Sequence, residues 1–193
     1  PRFTAIESAQ DAYEFWTLTG GQVCLKARRG GYDGKGVWFP KDESELTALV
    51  SDLTRRGVPL MAEEKVALVR ELSVLVARTP SGEVASWPLT ESVQRNGVCA
   101  EAVAPAPNMN PELKKRAEEL GEKIATELGV TGVLAVELFA FTNDSGEEDI
   151  AVNELAMRPH NTGHWTQDGS VTSQFEQHLR AVMDEPLGDT AAL

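Results

Sequence analysis

The sequence predicts an α+β protein of two lobes, each an antiparallel sheet with helices. Three observations carry this. Short apolar runs bounded by glycine and proline alternate with segments of helical period. Neighbouring runs are joined by turn sequences short enough to demand antiparallel pairing. The patterning also changes near Glu63, from short strands to longer ones. The expected division is a small lobe over 1–62, carrying a glycine-rich lid loop, and a larger lobe over 63–193, carrying a metal and substrate loop. A chain of 193 residues is long enough for two such cores.

The elements follow in order. Ser8 to about Thr19 is a helix burying Ala12, Phe15 and Trp16, ended by Gly20-Gly21. Val23 to Ala27 and Val37 to Phe39 are strands joined by a glycine-rich tip. Asp42, with Glu45 three residues on, caps a helix whose apolar face is Leu46, Leu49, Val50 and Leu53. Val58 to Ala62 is a short strand. Beyond Glu63, Arg70–Arg78 and Val84–Trp87 flank the turn Thr79-Pro80-Ser81-Gly82. Asn110-Pro111 opens the clearest helix, with Leu113, Ala117, Leu120, Ile124 and Leu128 on one stripe and Gly129 as its stop. Val133–Phe141 and Ile150–Leu155 are strands joined by a polar loop. Met157 to Gly169 reads as irregular, and Ser173 to about Met183 as a closing helix.

The formal net charge is −12, which argues against a chain that grips nucleic acid or an anionic membrane. The charge is uneven: residues 1–100 hold 12 basic and 13 acidic side chains, residues 101–193 hold 6 and 17. An anionic substrate therefore requires a local reversal of the field. Cys24 and Cys99 lie far apart in mostly apolar settings and read as free core thiols in a reducing compartment. No apolar run is long enough to span a bilayer. The chain opens at Pro1-Arg2-Phe3, which reads as a piece of something longer or a processed product.

Three places carry chemistry. Val133 to Phe141 is apolar on both faces except for Glu137. A buried lone carboxylate is costly, so Glu137 must be protonated, paired or metal-bound. If Phe141 pairs with Ile150, Glu137 falls opposite Glu154, where like charges repel. A divalent cation resolves that conflict, and two carboxylates with the Asn153 amide suit Mg²⁺ bridged to phosphate. The competing reading is that one glutamate reaches an arginine, with Arg158 nearby.

Lys26 to Gly36 carries four bases and one acid, a local reversal in an acidic chain. Its glycines let backbone N–H groups turn toward an anion, with Lys26 and Lys35 adding charge. It matches neither GxxxxGK[ST] nor GxGxxG, and by itself a glycine-rich hairpin tip is more often just a mobile tip; its coupling to a carboxylate pair is what favours a phosphate. Arg158-Pro159-His160-Asn161-Thr162-Gly163-His164 is the third place. Pro159 and Gly163 disfavour a continuous helix, and no glutamate lies between the histidines, so it is no zinc-protease motif. Arg, His and Asn in one loop suit oxyanion binding and proton orientation; structural hydrogen bonding is the equal alternative. His178 reads as structural.

The ordered set Lys26, Gly30-Gly31-Tyr32-Asp33-Gly34-Lys35-Gly36, Arg70-Glu71-Leu72-Ser73-Val74, Asn153-Glu154-Leu155-Ala156, Arg158-Pro159-His160-Asn161 and Ser173 to Ala181 strongly resembles the N5-carboxyaminoimidazole ribonucleotide synthetases of the ATP-grasp superfamily. The resemblance runs from near Pro1 to Asp189. It implies an ATP-grasp fold and a cytoplasmic, Mg²⁺- or Mn²⁺-dependent ATP ligase of purine biosynthesis, possessing flanking domains on both sides of this segment. ATP would phosphorylate bicarbonate, and the resulting carboxyl group would pass to 5-aminoimidazole ribonucleotide. By position, Lys26 and the Gly30, Gly31, Gly34 and Gly36 loop would hold ATP phosphates. Glu63 and Val66 would lie at the adenine hinge, and Glu71 would accept the ribose hydroxyls. Glu137 and Glu154 would bind the metal. Tyr32, Asp33 and Lys35, with Arg158, His160 and Asn161, would line the bicarbonate and aminoimidazole side, Arg158 facing carboxyphosphate. Met157 departs from the usual proline, and Glu64-Lys65 interrupts the usual hinge wording. A homodimer is a further implication. Another ATP-grasp carboxylating ligase is disfavoured by the Gly-Gly-Tyr-Asp-Gly and Arg-Pro-His-Asn wording, and a nucleotide-binding module without turnover is the alternative of a different class.

Overall fold

Ser8 is followed three residues later by Asp11, and the pair closes a reciprocal capping box: Asp11 N–H donates to Ser8 Oγ, and Ser8 N–H donates to the Asp11 carboxylate at 2.8 Å. This starts α1 (Ala9–Leu18), which buries Ala12 and Phe15. In the computed structural model, which describes residues 1–30, 35–95, 98–143 and 145–193, the chain divides into two compact units. One is built on Pro1–Ala67 and the other on Leu68–Arg95 with Cys99–Leu193.

The first unit is a four-stranded antiparallel sheet in the order β1 (Phe3–Ile6), β4 (Leu60–Glu64), β2 (Val23–Ala27), β3 (Val37–Trp38). Its core joins Ile6, Val23, Leu25, Leu60 and Ala62 of the sheet to Phe15 of α1 and to Leu46, Val50 and Leu53 of α2 (Glu43–Arg55). Asp42 caps α2 by accepting from Glu45 N–H, as expected, but Glu45 reaches back to Lys41 N–H rather than to Asp42. The unit extends to Ala67, past the expected join near Glu63, because β4 carries Glu63 and Glu64 into this sheet against Phe3 and Cys24.

The second unit is a six-stranded antiparallel sheet. Its path runs β10 (Glu148–Ala156), β9 (Gly132–Thr142), β5 (Leu68–Arg78), β7 (Thr90–Arg95), β8 (Val98–Val103), with β6 (Val84–Ser86) also on β5. Residues of alternate parity point to opposite faces. Leu72, Val74, Val76, Leu134, Val136 and Leu138 face the core under α3 (Pro111–Glu127). Leu75, Ala77, Val133 and Ala135 face the other way, with Ala181 of α5 (Gln174–Val182) packed among them.

α3 lies on the sheet through Leu113 and Ala117, as expected, and then through Gly121 and Ala125 in place of the later positions of the stripe. Leu120 and Ile124 flank the contact, and Leu128, at the C-cap, is 60% exposed. The reason is close approach: a Cβ on Gly121 would stand 2.6 Å from Val74 Cγ1. The stretch expected to be irregular holds a 3₁₀ turn, Asn161–Gly163, and a single turn of helix, α4 (Thr166–Gly169). Among the described residues no helix is long and apolar enough to cross a membrane.

Candidate functional site

The face of the second sheet covered by α5 is apolar at one end and polar at the other. Moving along β5 from Ala77 and Leu75, the same face presents Ser73 and then Glu71. Along β9 it presents Val133, Ala135 and then Glu137, which pairs across with Ser73. Glu154 of β10 arrives opposite Glu137, as the sequence suggests, but by a different route. The pairing of Phe141 with Ile150 is not formed. Phe141 pairs with Asp149 and Ile150 with Ala140, and the register then shifts between Val152 and Glu154.

That shift is a β-bulge at Asn153, and it changes which face receives Glu154. Ile150 and Val152 pack into the core under α3. Uninterrupted alternation would send Glu154 after them, into that core. The extra residue turns Glu154 to the opposite face, across from Glu137, and returns Ala156 to the apolar cluster beside Ala135.

Three carboxylates therefore share one neighbourhood. Burial, then the charge of Glu137, holds the Glu71 carboxyl above its ordinary range; Gln94 opposes this by a hydrogen bond, and Glu154 adds to it. Cys99 is pushed up likewise by burial and by the charges of Glu137 and Glu71. Glu137 is paired with a histidine, not with Arg158: His160 Nε2 stands 2.9 Å from its Oε1, both side chains being largely buried. A carboxylate accepts only, so the Nε2 position carries the proton in this contact.

His160 precedes the 3₁₀ turn and is held at several points. Its Nδ1 lies 2.9 Å from Thr162 Oγ1, which donates to Ser73 Oγ at 2.8 Å. Its backbone N–H donates to Gln174 Oε1, and Gln174 Nε2 donates to its carbonyl, each at 2.8 Å. Ser73, Thr162 and Gln174 are fully buried. Arg158 is exposed and donates to the Pro159 carbonyl at 3.1 Å. Asn161 is exposed and lines a cleft of about 460 Å³ with Cys99, Glu101, His164 and Trp165. A cleft of about 520 Å³ on the first unit, among Arg2, Phe3, Asp11 and Phe15, is lined by none of the candidate residues.

The remaining candidates belong to the first unit. Lys26 donates to both carboxylate oxygens of Glu63 at 3.1 Å, a largely buried pair on adjacent strands. Val66 is half-buried. Gly30 and Gly36 hold positive φ angles of 77° and 81° at the base of the β2–β3 hairpin, and Lys35 is exposed. Gly31, Tyr32, Asp33 and Gly34 lie outside the described residues. Both cysteines are free; burial pushes Cys24 up to about 11, whereas Cys99 is half-buried on β8 rather than in a core. His178 is structural, accepting from Val133 N–H at 3.1 Å.

The acidic end has an all-oxygen donor set suited to a hard divalent cation. Among the described residues no three His, Cys, Asp or Glu side chains gather closely enough to hold a metal by themselves. Mg²⁺ fits that arrangement, since it takes one or two protein carboxylates and completes its shell with water and phosphate oxygens. The sequence reasoning gave no role to Ser73, Thr162 or Gln174, although each stands inside the quoted motifs. The signal was there in Gln174, an amide at the start of an amphipathic helix that turns out to lie on its buried side.

Comparison with known proteins covers the same ground. The chain is 86% identical over all 193 residues to the N5-carboxyaminoimidazole ribonucleotide synthase of Corynebacterium ammoniagenes, spanning 47% of that protein. The structure of the corresponding synthetase from Thermus thermophilus matches all of the chain at TM-score 0.88 and 38% identity, over 50% of its own length. That of the Aspergillus clavatus synthase, in complex with ADP and 5-aminoimidazole ribonucleotide, matches 99% of the chain at TM-score 0.83 and 27% identity, over 49% of its length. The chain thus spans about half the length of the relatives it matches. The model of the ATP-grasp domain matches residues 1–175, and the chain belongs to the ATP-grasp family.

Proposed function

We propose that this chain supplies the ATP-grasp part of a cytoplasmic, homodimeric N5-carboxyaminoimidazole ribonucleotide synthase. ATP phosphorylates bicarbonate to carboxyphosphate; the 5-amino nitrogen of 5-aminoimidazole ribonucleotide attacks its carboxyl carbon, and ADP and phosphate leave. The observation that carries this reading is the opposition of Glu137 and Glu154 on the open end of the sheet, with His160 on Glu137, in a chain so similar to such a synthase.

Phosphoryl transfer asks a protein for positioning and charge neutralisation more than for covalent chemistry. Glu137 and Glu154 would hold Mg²⁺ or Mn²⁺, which when bound neutralises charge on the ATP phosphates. Lys26 and the backbone of Gly30, Gly31, Gly34 and Gly36 would face the phosphates, and Glu63 and Val66 the adenine. Glu71 would accept from the ribose hydroxyls, donors that favour its ionised form against the burial that disfavours it. Arg158 would bind carboxyphosphate, a planar oxyanion that a guanidinium fork matches. His160 and Asn161, with Tyr32, Asp33 and Lys35, would orient bicarbonate and the amine, and the glycine loop would exclude water from the labile intermediate.

The test is to exchange the 193 residues for the matching segment of the Corynebacterium ammoniagenes synthase. The reading expects ADP release that requires both bicarbonate and 5-aminoimidazole ribonucleotide. A folded chimera that binds ATP but releases no bicarbonate-dependent ADP would leave a nucleotide-binding module instead.

A further inference from the structure

α5 carries two glutamines one turn apart, Gln174 and Gln177, and both are fully buried. Burying a primary amide requires partners for its oxygen and its two N–H groups. Each glutamine satisfies its oxygen and one N–H in the same way, by gripping one residue's peptide groups at two points. Gln174 accepts from His160 N–H and donates to His160 C=O, at 2.8 Å each. Gln177 accepts from Gly188 N–H and donates to Gly188 C=O, also at 2.8 Å each. One helix thus makes two clamps of equal chemistry, one on the functional loop and one on the C-terminal segment.

The clamp on His160 is built into its surroundings. Gln174 N–H donates to Thr166 Oγ1 at 2.9 Å, and Thr166 Oγ1 donates to Gly163 C=O at 2.6 Å, tying α5 to the far side of the same loop. Gly163 leaves room for the amide: a Cβ there would stand 2.4 Å from Gln174 Oε1 and 2.6 Å from Leu75 Cδ1. The His160 backbone is therefore fixed by Gln174, and its ring spans the short distance from Thr162 to Glu137. With both backbone polar atoms held, the direction of the His160 Cα–Cβ bond is fixed, and the contacts with Thr162 and Glu137 set the ring.

We propose that Gln174 is the positioning residue that sets His160 on Glu137. The proposal rests on the function above for its kinetic consequence, but not for its structural one. In the 193-residue chain, Gln174→Met should move the ring-proton resonances of His160, whereas Gln177→Met, which removes an equally buried clamp elsewhere, should leave them in place. Unmoved His160 resonances in Gln174→Met, or an equal movement in Gln177→Met, would overturn the proposal whether or not the chain takes part in catalysis.

In the chimera with the Corynebacterium ammoniagenes synthase, Gln174→Met should lower kcat by about 100-fold, a loss typical of a misplaced group, with little change in KM for ATP. Gln177→Met should leave kcat unchanged. In a His160→Ala background, Gln174→Met should cost less than about twofold more, because the two act through one element. Independent, multiplicative losses would contradict positioning through His160. If Gln174→Met fails to fold, Gln174→Glu decides: it keeps the acceptor for His160 N–H and loses the donor to His160 C=O. An intermediate kcat with the ATP KM retained supports the proposal, and an unchanged kcat overturns it. A wild-type chimera without turnover would instead count against the proposed function, leaving the resonance measurement to judge Gln174.

Discussion

The two sheets place charge on their surfaces in opposite ways. In the first unit, Lys26 and Glu63 stand on adjacent strands and close on each other through both carboxylate oxygens. In the second, Glu71, Glu137 and Glu154 lie toward one end of one face, where burial, then the charges of Glu137 and Glu154, holds the Glu71 carboxyl above its ordinary range. A pair of opposite charges completes itself and contributes to the stability of its unit. A cluster of like charges costs stability, and on the proposed function an outside cation would offset that cost. Removing one partner in the first region should therefore cost stability, whereas removing a carboxylate from the second should relieve repulsion.

The largest expected effect breaks the second region at its source. The bulge keeps a carboxylate out of the core under α3, and Val152→Glu puts one there, on the face Glu154 would take without the shift. An unpaired carboxylate there costs several kcal/mol, so the expected outcome is a thermal midpoint lowered by ten degrees or more, on the order expected for such a loss. A midpoint within the error of the parent would show that Val152 does not face that core, and with it that the strand needs no shift to keep Glu154 out.

The first region should respond more modestly. Removing one partner of a largely buried pair leaves the other without its counter-charge, which costs about 2 kcal/mol for a hydrogen-bonded charge. A double-mutant cycle of Lys26→Met with Glu63→Gln, followed by chemical denaturation, should show coupling of about that size. Additive losses would mean that the pair is not closed in solution.

The smallest effect sharpens the contrast through pH. The folded-state carboxyl of Glu71 is held above its unfolded value, so the native chain binds that proton more tightly. The corresponding stability is fully present below the ordinary glutamate value of about 4.3 and is lost as the pH rises through the folded value. Glu71→Gln should flatten that part of the stability–pH curve and leave the chain slightly more stable at neutral pH. A parent-like slope in the variant would place the titration elsewhere.

How much of this was legible depends on what each residue had to do locally. β2, β5, β9, α2 and α5 announce themselves through apolar period and caps such as Asp42 and Ser173. β1 does not, because Ile6 is its one buried side chain. β7 does not either, because it turns Thr90 and Ser92 inward where a strand pattern leads one to expect aliphatic residues. The opposition of Glu137 and Glu154 was reached from a register the chain does not adopt. Ile150 and Val152 obey the core of α3, and only the bulge at Asn153 restores the pairing. A bulge leaves little trace in a single sequence, since one added residue alters parity without altering composition. The Gln174 clamp was hidden for a similar reason: a polar residue at a helix start reads as surface until its partner across the fold is known.

The claim that the acidic end needs an outside cation is tested most directly by titrating ATP into the 193-residue chain by calorimetry, with Mg²⁺ and then with the metal chelated. The account predicts saturable binding with Mg²⁺ that weakens at least about tenfold without it, a difference of about 1.4 kcal/mol. Binding that is equally tight with and without the metal, or no binding under either condition, would contradict it.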